Sequence, residues 1–267
     1  MRTYPQSTLE EIIDSERAML LDGPERYGQH YKHARAATMY FSLCIASIER
    51  DRAEMFGRLF SLMKKHHTLS FFSTLRLHRV QAMMDLRQVL EAGAAAAFAI
   101  AHPDTEHFVD VDAFGIMDPS QKLTSKRYKW LEKNYRDKSE WVSSTKGHIN
   151  SHAAHANIIS GDSTFRMADD RSAANAPFFD IEDEYFVRTD LWLTSSVAIT
   201  LMDLLFGVAS DVARTGRAVV EFRADFQGTI QGLASENAAL QAEIQAGERY
   251  QKVMQDIAKR QQGRGAS

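Results

Sequence analysis

Apolar residues recur every three or four positions along most of the 267-residue chain, which is the period of helices that bury one face. Only 14 glycines and 5 prolines interrupt this pattern, which favours long helices over many short strands. The apolar period and the helix-end signals predict helices over residues 7–21, 25–66, 70–101, 120–134, 137–160 and 181–213. The second of these is one helix or two with a break near Gly57, and His66–Thr68 is the predicted turn before the third.

The chain beyond Gly216 has a different period. Apolar residues and one asparagine alternate there by four and three positions, as Phe226, Ile230, Leu233, Asn237, Leu240 and Ile244. This spacing is that of a heptad seam, in which a single asparagine can fix the register of a parallel dimer. A homodimer formed through this helix is one expectation. A long helix packed on its own domain is the alternative.

These patterns predict an all-α fold, an antiparallel bundle of long helices with a C-terminal helical or coiled-coil extension. We expect the bundle to cover residues 1–213 and to include a loop or small hairpin at 161–180. The extension covers 214–262, and a disordered tail covers 263–267.

The composition excludes collagen-like, low-complexity and fully disordered proteins. The chain is 44% hydrophobic and 25% charged, close to the globular average, and it is long enough to bury a core without disulfides. Its 32 basic and 35 acidic residues give no overall attraction to nucleic acid or to an anionic membrane. The single cysteine, Cys44, cannot form an internal disulfide, which favours a cytoplasmic location.

The stretch Leu191–Ala209 is apolar and about as long as a membrane span. It contains Asp203, which on a helical projection shares one narrow face with Ser196 and Thr200. A helix that faces lipid would not keep such a polar stripe. We therefore predict a helix with a broad buried face, and no membrane partner.

The predicted helix over 70–101 carries charges where it should be buried. On a helical projection Arg87 and Glu91 share a face with the core residues Val80, Met83 and Leu90, whereas Asp85 falls on the solvated side. A buried charge is costly unless it is paired, and residues at i and i+4 can pair. The pair is either an internal ion pair that fixes helix packing or part of a polar cavity.

Three histidines follow on another predicted helix. His148, His152 and His155 lie at i, i+4 and i+7, in line with Trp141, and so form a stripe that we expect to be at least half-buried. Such histidines are candidate acid–base groups or metal ligands. A hydrogen-bonded cluster, an acid–base or anion-binding site, and a metal site completed by Glu91 stay open as alternatives. No second motif supports a metal, so no metal or cofactor is predicted.

Basic and aromatic residues alternate over 122–138. The basic residues are Lys122, Lys126, Arg127, Lys129, Lys133, Arg136 and Lys138, and the aromatic ones are Tyr128, Trp130 and Tyr135. This pattern can contact phosphates and stack on bases. A solvated amphipathic helix whose aromatic residues belong to the core is the alternative.

Two of these segments together resemble a known group of proteins. The stretch Leu86–Ala92 on one long helix, followed by a helix with Ile149–His152 and His155–Asn157, resembles bacterial families of unknown function related to the HEPN superfamily, over about 31–209. The resemblance implies an all-helical, often dimeric bundle. Some such proteins are metal-independent ribonucleases of toxin or phage-defence systems, and others bind nucleotides or RNA or act as scaffolds.

The ribonuclease members carry an arginine, four to six further residues and then a histidine. Here Lys146 stands where an arginine would precede His152, so the chain departs from that motif. An acid–base histidine beside a cation is still available from His152 and Arg87.

Two functions follow as hypotheses. In the first, the chain binds or cleaves RNA or a nucleotide, with His152 and His155 transferring protons, Arg87 stabilising the charge on phosphorus and Glu91 orienting a partner. In the second, it is a non-enzymatic scaffold whose buried polar cluster sets the helix register and whose seam over 226–244 forms the dimer. A metalloenzyme that uses His148, His152 and Glu91 is a third possibility.

Overall fold

The computed structural model describes residues 8–49, 52–111, 113–115, 117–119, 121–152, 166–167, 174–175, 178–180, 183–217, 219–252 and 254–255. Helices dominate these residues, which confirms the predicted all-α bundle. The longer helices are α1 (Leu9–Arg26), α2 (Gly28–Leu43), α3 (Glu54–Leu75), α4 (Arg79–Ala101), α5 (Gln121–Asn134), α6 (Arg136–His152), α7 (Glu184–Arg214) and α8 (Phe226–Ala246).

Short strands form three antiparallel pairs among the described residues. These pairs are β1 (Ile45–Ile48) with β6 (Val220–Phe222), β2 (Val109–Val111) with β3 (Met117–Pro119), and β4 (Arg166–Met167) with β5 (Ala174–Asn175). The last pair lies within 161–180, for which the sequence predicts a loop or small hairpin.

The core is built around α4, which packs against α3, α5, α6 and α7. Its second half is rich in alanine, and small side chains let neighbouring helices approach closely. Gly93 marks the tightest approach, because a Cβ atom at this position would lie 2.7 Å from a side-chain carbon of Leu201 on α7. Burial on several sides makes α4 the helix against which the other elements are positioned.

Three predicted helix boundaries are wrong. α1 continues through Pro24 to Arg26, beyond the end predicted at Leu21. The predicted turn at His66–Thr68 lies inside α3, and the chain turns instead at 76–78, where Leu77 has a φ of 58°. The segment predicted over 25–66 contains a break, as one of its two alternatives has it, but the break contains β1 and Gly57 lies inside α3. β1 pairs with β6, a segment far away in sequence, so local periodicity gives no sign of it.

The heptad seam is used within the chain. α8 packs on α7 and α2, and Phe226, Ile230, Leu233 and Leu240 are buried. Asn237 is held by the same neighbours, since its Nδ2 donates to Ser196 Oγ at 2.8 Å and its Oδ1 lies 3.2 Å from His33 Nε2. Packing on its own domain is therefore the arrangement seen. The homodimer stays a prediction.

Among the described helices, α7 alone is long and apolar enough to cross a membrane by length and composition. In its most apolar window 67% of the residues are buried inside the bundle, as expected of a core helix. Asp203 of the predicted polar stripe accepts a hydrogen bond from Lys138 Nζ. This burial agrees with the predicted helix that has one broad buried face.

The remaining predictions reach beyond the described residues. The helix predicted over 137–160 is seen as far as His152, and residues 153–160 lie outside the described part. The predicted tail at 263–267 lies outside it as well.

Candidate anion-binding site

Arg87 and Glu91 form the ion pair that their spacing on α4 predicts. Arg87 Nε lies 3.3 Å from Glu91 Oε1, and the two side chains are 29% and 36% exposed. The pair is thus less buried than the helical projection implies. It lies where α5 and α6 pass over α4, at the rim of a cavity rather than in the apolar core.

Lys146 of α6 reaches the same carboxylate. Its Nζ lies 3.1 Å from Glu91 Oε1, donates a hydrogen bond to the Tyr128 hydroxyl at 2.8 Å, and lies 4.7 Å from the centroid of the Tyr128 ring. Burial lowers the pKa of Lys146, but the hydrogen bonds and charges of Tyr128 and Glu91 outweigh burial and raise this pKa above its ordinary value. Lys146 is therefore a cation at neutral pH.

α5 supplies a third cation to this place. Arg127 donates from Nη2 to Thr124 Oγ1 at 2.8 Å, and its guanidinium lies 5.4 Å from the centroid of the Phe108 ring. Burial lowers the pKa of Arg127, yet an arginine keeps its charge throughout the range in which proteins fold. Within the described part of the chain no carboxylate forms an ion pair with it.

These groups line a cavity of about 430 Å³ between α4, α5 and α6. The lining consists of Arg87, Glu91, Ala94, Ala95, Thr124, Arg127, Tyr128 and Lys146. We call it the cation cavity, because among the described residues three cations face a single carboxylate. The chain as a whole has a formal net charge of −3, so this local positive excess runs against the overall balance. A recess with such an excess attracts an anion.

The histidine stripe does not join this cavity at the one position where its side chain is described. His148 is exposed and lines a separate cavity with Trp141, whereas Lys146, two residues before it, lines the cation cavity. Successive residues turn by about 100° around a helix, so positions two apart point in nearly opposite directions. The expected half-burial of His148 is therefore wrong.

The side chains of the other two histidines lie outside the described part of the structure. His152 is the last residue of α6 and its side chain lies outside the described part, and His155 lies entirely outside it. Their role in proton transfer stays a prediction. A metal site that needs both His148 and Glu91 loses its geometry, because the two residues line different cavities.

Asp85 corrects the predicted orientation of α4. It is 3% exposed instead of solvated, with its Oδ1 2.7 Å from His66 Nδ1 and its Oδ2 accepting from Gln81 Nε2 at 3.0 Å. Val80, predicted for the buried face, is 38% exposed. The reason is that α3 covers the side of α4 that periodicity assigns to solvent.

An ion pair between Arg79 of α4 and the buried Asp190 of α7 has no signal in the sequence. Arg79 donates from Nε and Nη2 to the two carboxylate oxygens of Asp190, at 2.9 and 3.3 Å. Burial raises the pKa of Asp190 to about 6, Arg79 opposes this shift, and the nearby charge of Asp180 adds to it. The partners lie 111 residues apart on helices whose contact only the tertiary structure gives.

A second polar cavity, of about 710 Å³, lies at the C-terminal end of α4. Three carboxylates and two arginines face each other there, namely Glu54, Asp104, Glu106, Arg52 and Arg217, so it has no cationic excess. Ligand atoms of Asp104, Glu106 and His107 lie within 4.8 Å of one another, a spacing that could hold a metal ion. The two carboxylates are exposed, and exposed acidic groups are common without an ion.

No protein-family model matches the chain, and neither does any curated protein or solved structure. The relationship to HEPN-like bundles therefore stays a prediction from the residues that suggest it. Function has to be inferred from the geometry and charge of the cavities.

Proposed function

We propose that the chain binds a phosphate-bearing ligand, RNA or a nucleotide, in the cation cavity between α4, α5 and α6. The observation that supports this most is the unequal number of charges that the described residues place in this recess, three cations around one carboxylate. Elsewhere on α4, the positive charge of Arg79 meets a carboxylate directly. An unbalanced excess that is partly withdrawn from water is stabilised by an anionic ligand.

The donors suit phosphate in kind as well as in charge. Arg87 and Arg127 offer planar guanidinium groups that can bind two oxygens at once, and Lys146 offers a compact positive charge. The Tyr128 hydroxyl accepts a hydrogen bond from Lys146, which leaves its own proton free to be donated to a phosphate oxygen. All four groups come from helices, so their positions are fixed before the ligand arrives.

The salt dependence of binding should be shallow, because only three cations take part. Neutralising three phosphates of a single strand predicts a slope of about −2 for the logarithm of the affinity against the logarithm of salt concentration. A protein that binds RNA through a broad basic surface would show a much steeper slope. This difference separates a local site from the general basic face of the segment over 122–138.

A binding measurement with charge-matched variants tests the proposal. Fluorescence anisotropy of a labelled single-stranded RNA, repeated with labelled ATP, would be compared for the wild type, Arg127→Gln, Lys146→Gln and the control Arg136→Gln. Arg136 also lies on α6, is fully exposed and pairs with Glu140. We expect at least a tenfold loss of affinity in the first two variants and no change in the control. Equal affinity in all four proteins would disprove the proposed site.

Cleavage is a further step of the same proposal, for which the resemblance to HEPN-like ribonucleases supplies the reason. His152 and His155 would transfer the protons, and Arg87 would stabilise charge on phosphorus. His152→Ala should then retain RNA binding while losing cleavage, as followed by gel electrophoresis of the RNA. Unchanged cleavage in this variant would eliminate His152 as a catalytic residue and would leave the binding proposal intact.

A further inference from the structure

A third cavity, of about 500 Å³, lies between α6, α7 and α8, on the side of α6 that carries His148. Two tryptophans form part of its wall, Trp141 from α6 and Trp192 from α7. We call it the tryptophan cavity. Lys146, the α6 residue of the cation cavity, is not among its lining residues, so the two cavities are separate.

The indole rings of this cavity lack aromatic neighbours in the described part of the chain. The third tryptophan, Trp130, packs instead against Phe98, His102 and Tyr135 in the core. Trp192 is nevertheless fixed in place, because its Nε1 donates to the backbone carbonyl of Asn237 at 3.1 Å. A half-buried indole without a ring partner, held in one orientation, is a ready surface for stacking.

α8 leaves space in front of these rings. Ala234 and Ala238, one helical turn apart, line the cavity together with Asn237 and Gln241, so four residues of one face of α8 contribute. The two alanines are the smallest side chains that a helix commonly carries. Larger residues at either position would fill the space that the tryptophans border.

The polar groups that line the tryptophan cavity are mostly uncharged. They are the side chains of Ser144, Thr145, Ser196, Thr200, Asn237 and Gln241. Among the described lining residues, only His148 is a histidine or carries an acidic or basic group. Asn237 and Ser196 are bonded to each other, whereas the Thr200 hydroxyl and the Gln241 amide have no side-chain partner among the described residues. The cavity therefore offers hydrogen bonds and aromatic faces without the charge that would select an anion or a cation.

We propose that the tryptophan cavity binds an uncharged planar heteroaromatic ring. The ring would stack against Trp141 or Trp192 and exchange hydrogen bonds with Thr200 and Gln241. Base–aromatic stacking of this kind tolerates many ring types, because each ring has a π face. The inference does not depend on phosphate binding in the cation cavity, since the two cavities share no lining residue.

Tryptophan fluorescence provides the test. In a Trp130→Phe background the emission comes from Trp141 and Trp192, which are the remaining two of the three tryptophans. Adenosine, uridine and lumichrome, which carry no phosphate, would be titrated against this protein. We expect saturable quenching by at least one of them. Absence of quenching by all three, together with unchanged RNA affinity in the cavity-filling variant described next, would overturn the inference.

A cavity-filling variant with a neighbouring control locates the binding. Ala238→Leu places a larger side chain in the cavity, whereas Ala239→Leu makes the same change at the next, exposed position, which does not line it. We expect Ala238→Leu to weaken ring binding at least tenfold while its melting temperature stays at or above that of the wild type, and Ala239→Leu to bind normally. Quenching that is equal in both variants would mean that the ring binds elsewhere and would contradict the inference.

The RNA measurement distinguishes a free ring compound from a base that belongs to a polynucleotide. If free nucleosides fail to quench but Ala238→Leu weakens RNA binding, the ring is a base of a polynucleotide and the inference holds for that source. Ring binding that survives Arg127→Gln is expected in either case. Failure of phosphate binding would therefore leave this result unaffected, and failure of ring binding would leave the cation cavity unaffected.

Discussion

Two regions of α4 contain ion pairs of opposite character. At the N-terminal end Arg79 meets Asp190 of α7 in a bidentate pair. The carboxylate is 6% exposed, and the Arg79 side chain is 44% exposed with its guanidinium 4.8 Å from the centroid of the Phe186 ring. Two turns later Arg87 meets Glu91 in a single, longer contact at the edge of a cavity. The first pair joins two helices, and the second lies within one helix and is shared with a further cation.

The presence of an ion pair alone does not distinguish a structural cluster from a ligand site. At Asp190 one arginine faces a carboxylate that no cavity among those described exposes, so the charges are satisfied by the fold. In the cation cavity Glu91 is shared between Arg87 and Lys146, and Arg127 has no carboxylate within reach in the described part. The charge that remains unpaired in an accessible recess, rather than the existence of an ion pair, is what points to a ligand.

The largest expected difference between the two regions is in stability. Arg79→Met leaves the buried carboxylate of Asp190 without its partner. Because the Arg79 side chain is 44% exposed, the expected loss of unfolding free energy is about 2 kcal/mol, less than for a pair buried on both sides. Arg87→Met removes a pair whose side chains are about one-third exposed, and the expected loss is below about 1 kcal/mol. Urea unfolding of both variants at pH 7 measures the two values.

This measurement also tests the scaffold hypothesis. If the Arg87–Glu91 pair sets the packing of the bundle, its loss should destabilise the protein as much as the loss of the Arg79–Asp190 pair. Equal destabilisation by Arg87→Met and Arg79→Met would therefore favour a structural role for Arg87. A small effect of Arg87→Met on stability, combined with weaker RNA binding, would favour the ligand site.

The second difference is in pH dependence. Burial raises the pKa of Asp190 to about 6 from an ordinary value of 3.8, so protonation of this carboxyl favours the folded state. Its contribution is fully present below pH 3.8 and is lost as the pH rises through 6. The wild type should gain about 1 kcal/mol from this group between pH 7 and pH 5, and Asp190→Asn should lack this gain.

Unfolding free energies of the wild type and Asp190→Asn at pH 5, 6 and 7 provide the check. The unfolding free energy of the wild type, relative to that of Asp190→Asn, should rise as the pH falls. A constant difference for Asp190→Asn would mean that the carboxyl is already ionised in the folded state at pH 5.

The sequence predicts most of the helices and the Arg87–Glu91 pair, because both depend on contacts between residues three or four positions apart. It fails where burial comes from two sides at once. Asp85 and Val80 are assigned to the wrong environments because α3 covers a face of α4 that a single apolar stripe leaves to solvent. The β1–β6 pair fails for a related reason, since its partners are distant in sequence.

The sequence indicates several residues of the cation cavity but not that they meet in one place. Arg127 and Tyr128 stand out in the basic and aromatic segment over 122–138, but nothing in that segment indicates which of its cations faces α4. Lys146 stands in the sequence in place of a motif arginine, but its contact with Glu91 depends on how α6 crosses α4. The histidine spacing gives the face of α6 that carries His148, but it does not indicate which neighbouring helices that face meets.

The smallest expected effect is the most specific to the cation cavity. Glu91→Gln removes the single carboxylate and keeps the shape of the side chain, so the local excess of positive charge rises by one. An anion in this cavity should bind about threefold more tightly, because the competing acceptor for Arg87 and Lys146 is weakened. Anisotropy with the labelled RNA measures this change, and Glu140→Gln, at an exposed ion pair on α6, serves as the control. If Glu91 instead orients a ligand or holds the cations in place, as the sequence-based hypothesis has it, Glu91→Gln should weaken binding, so the sign of the change decides between attraction by net charge and positioning by the carboxylate.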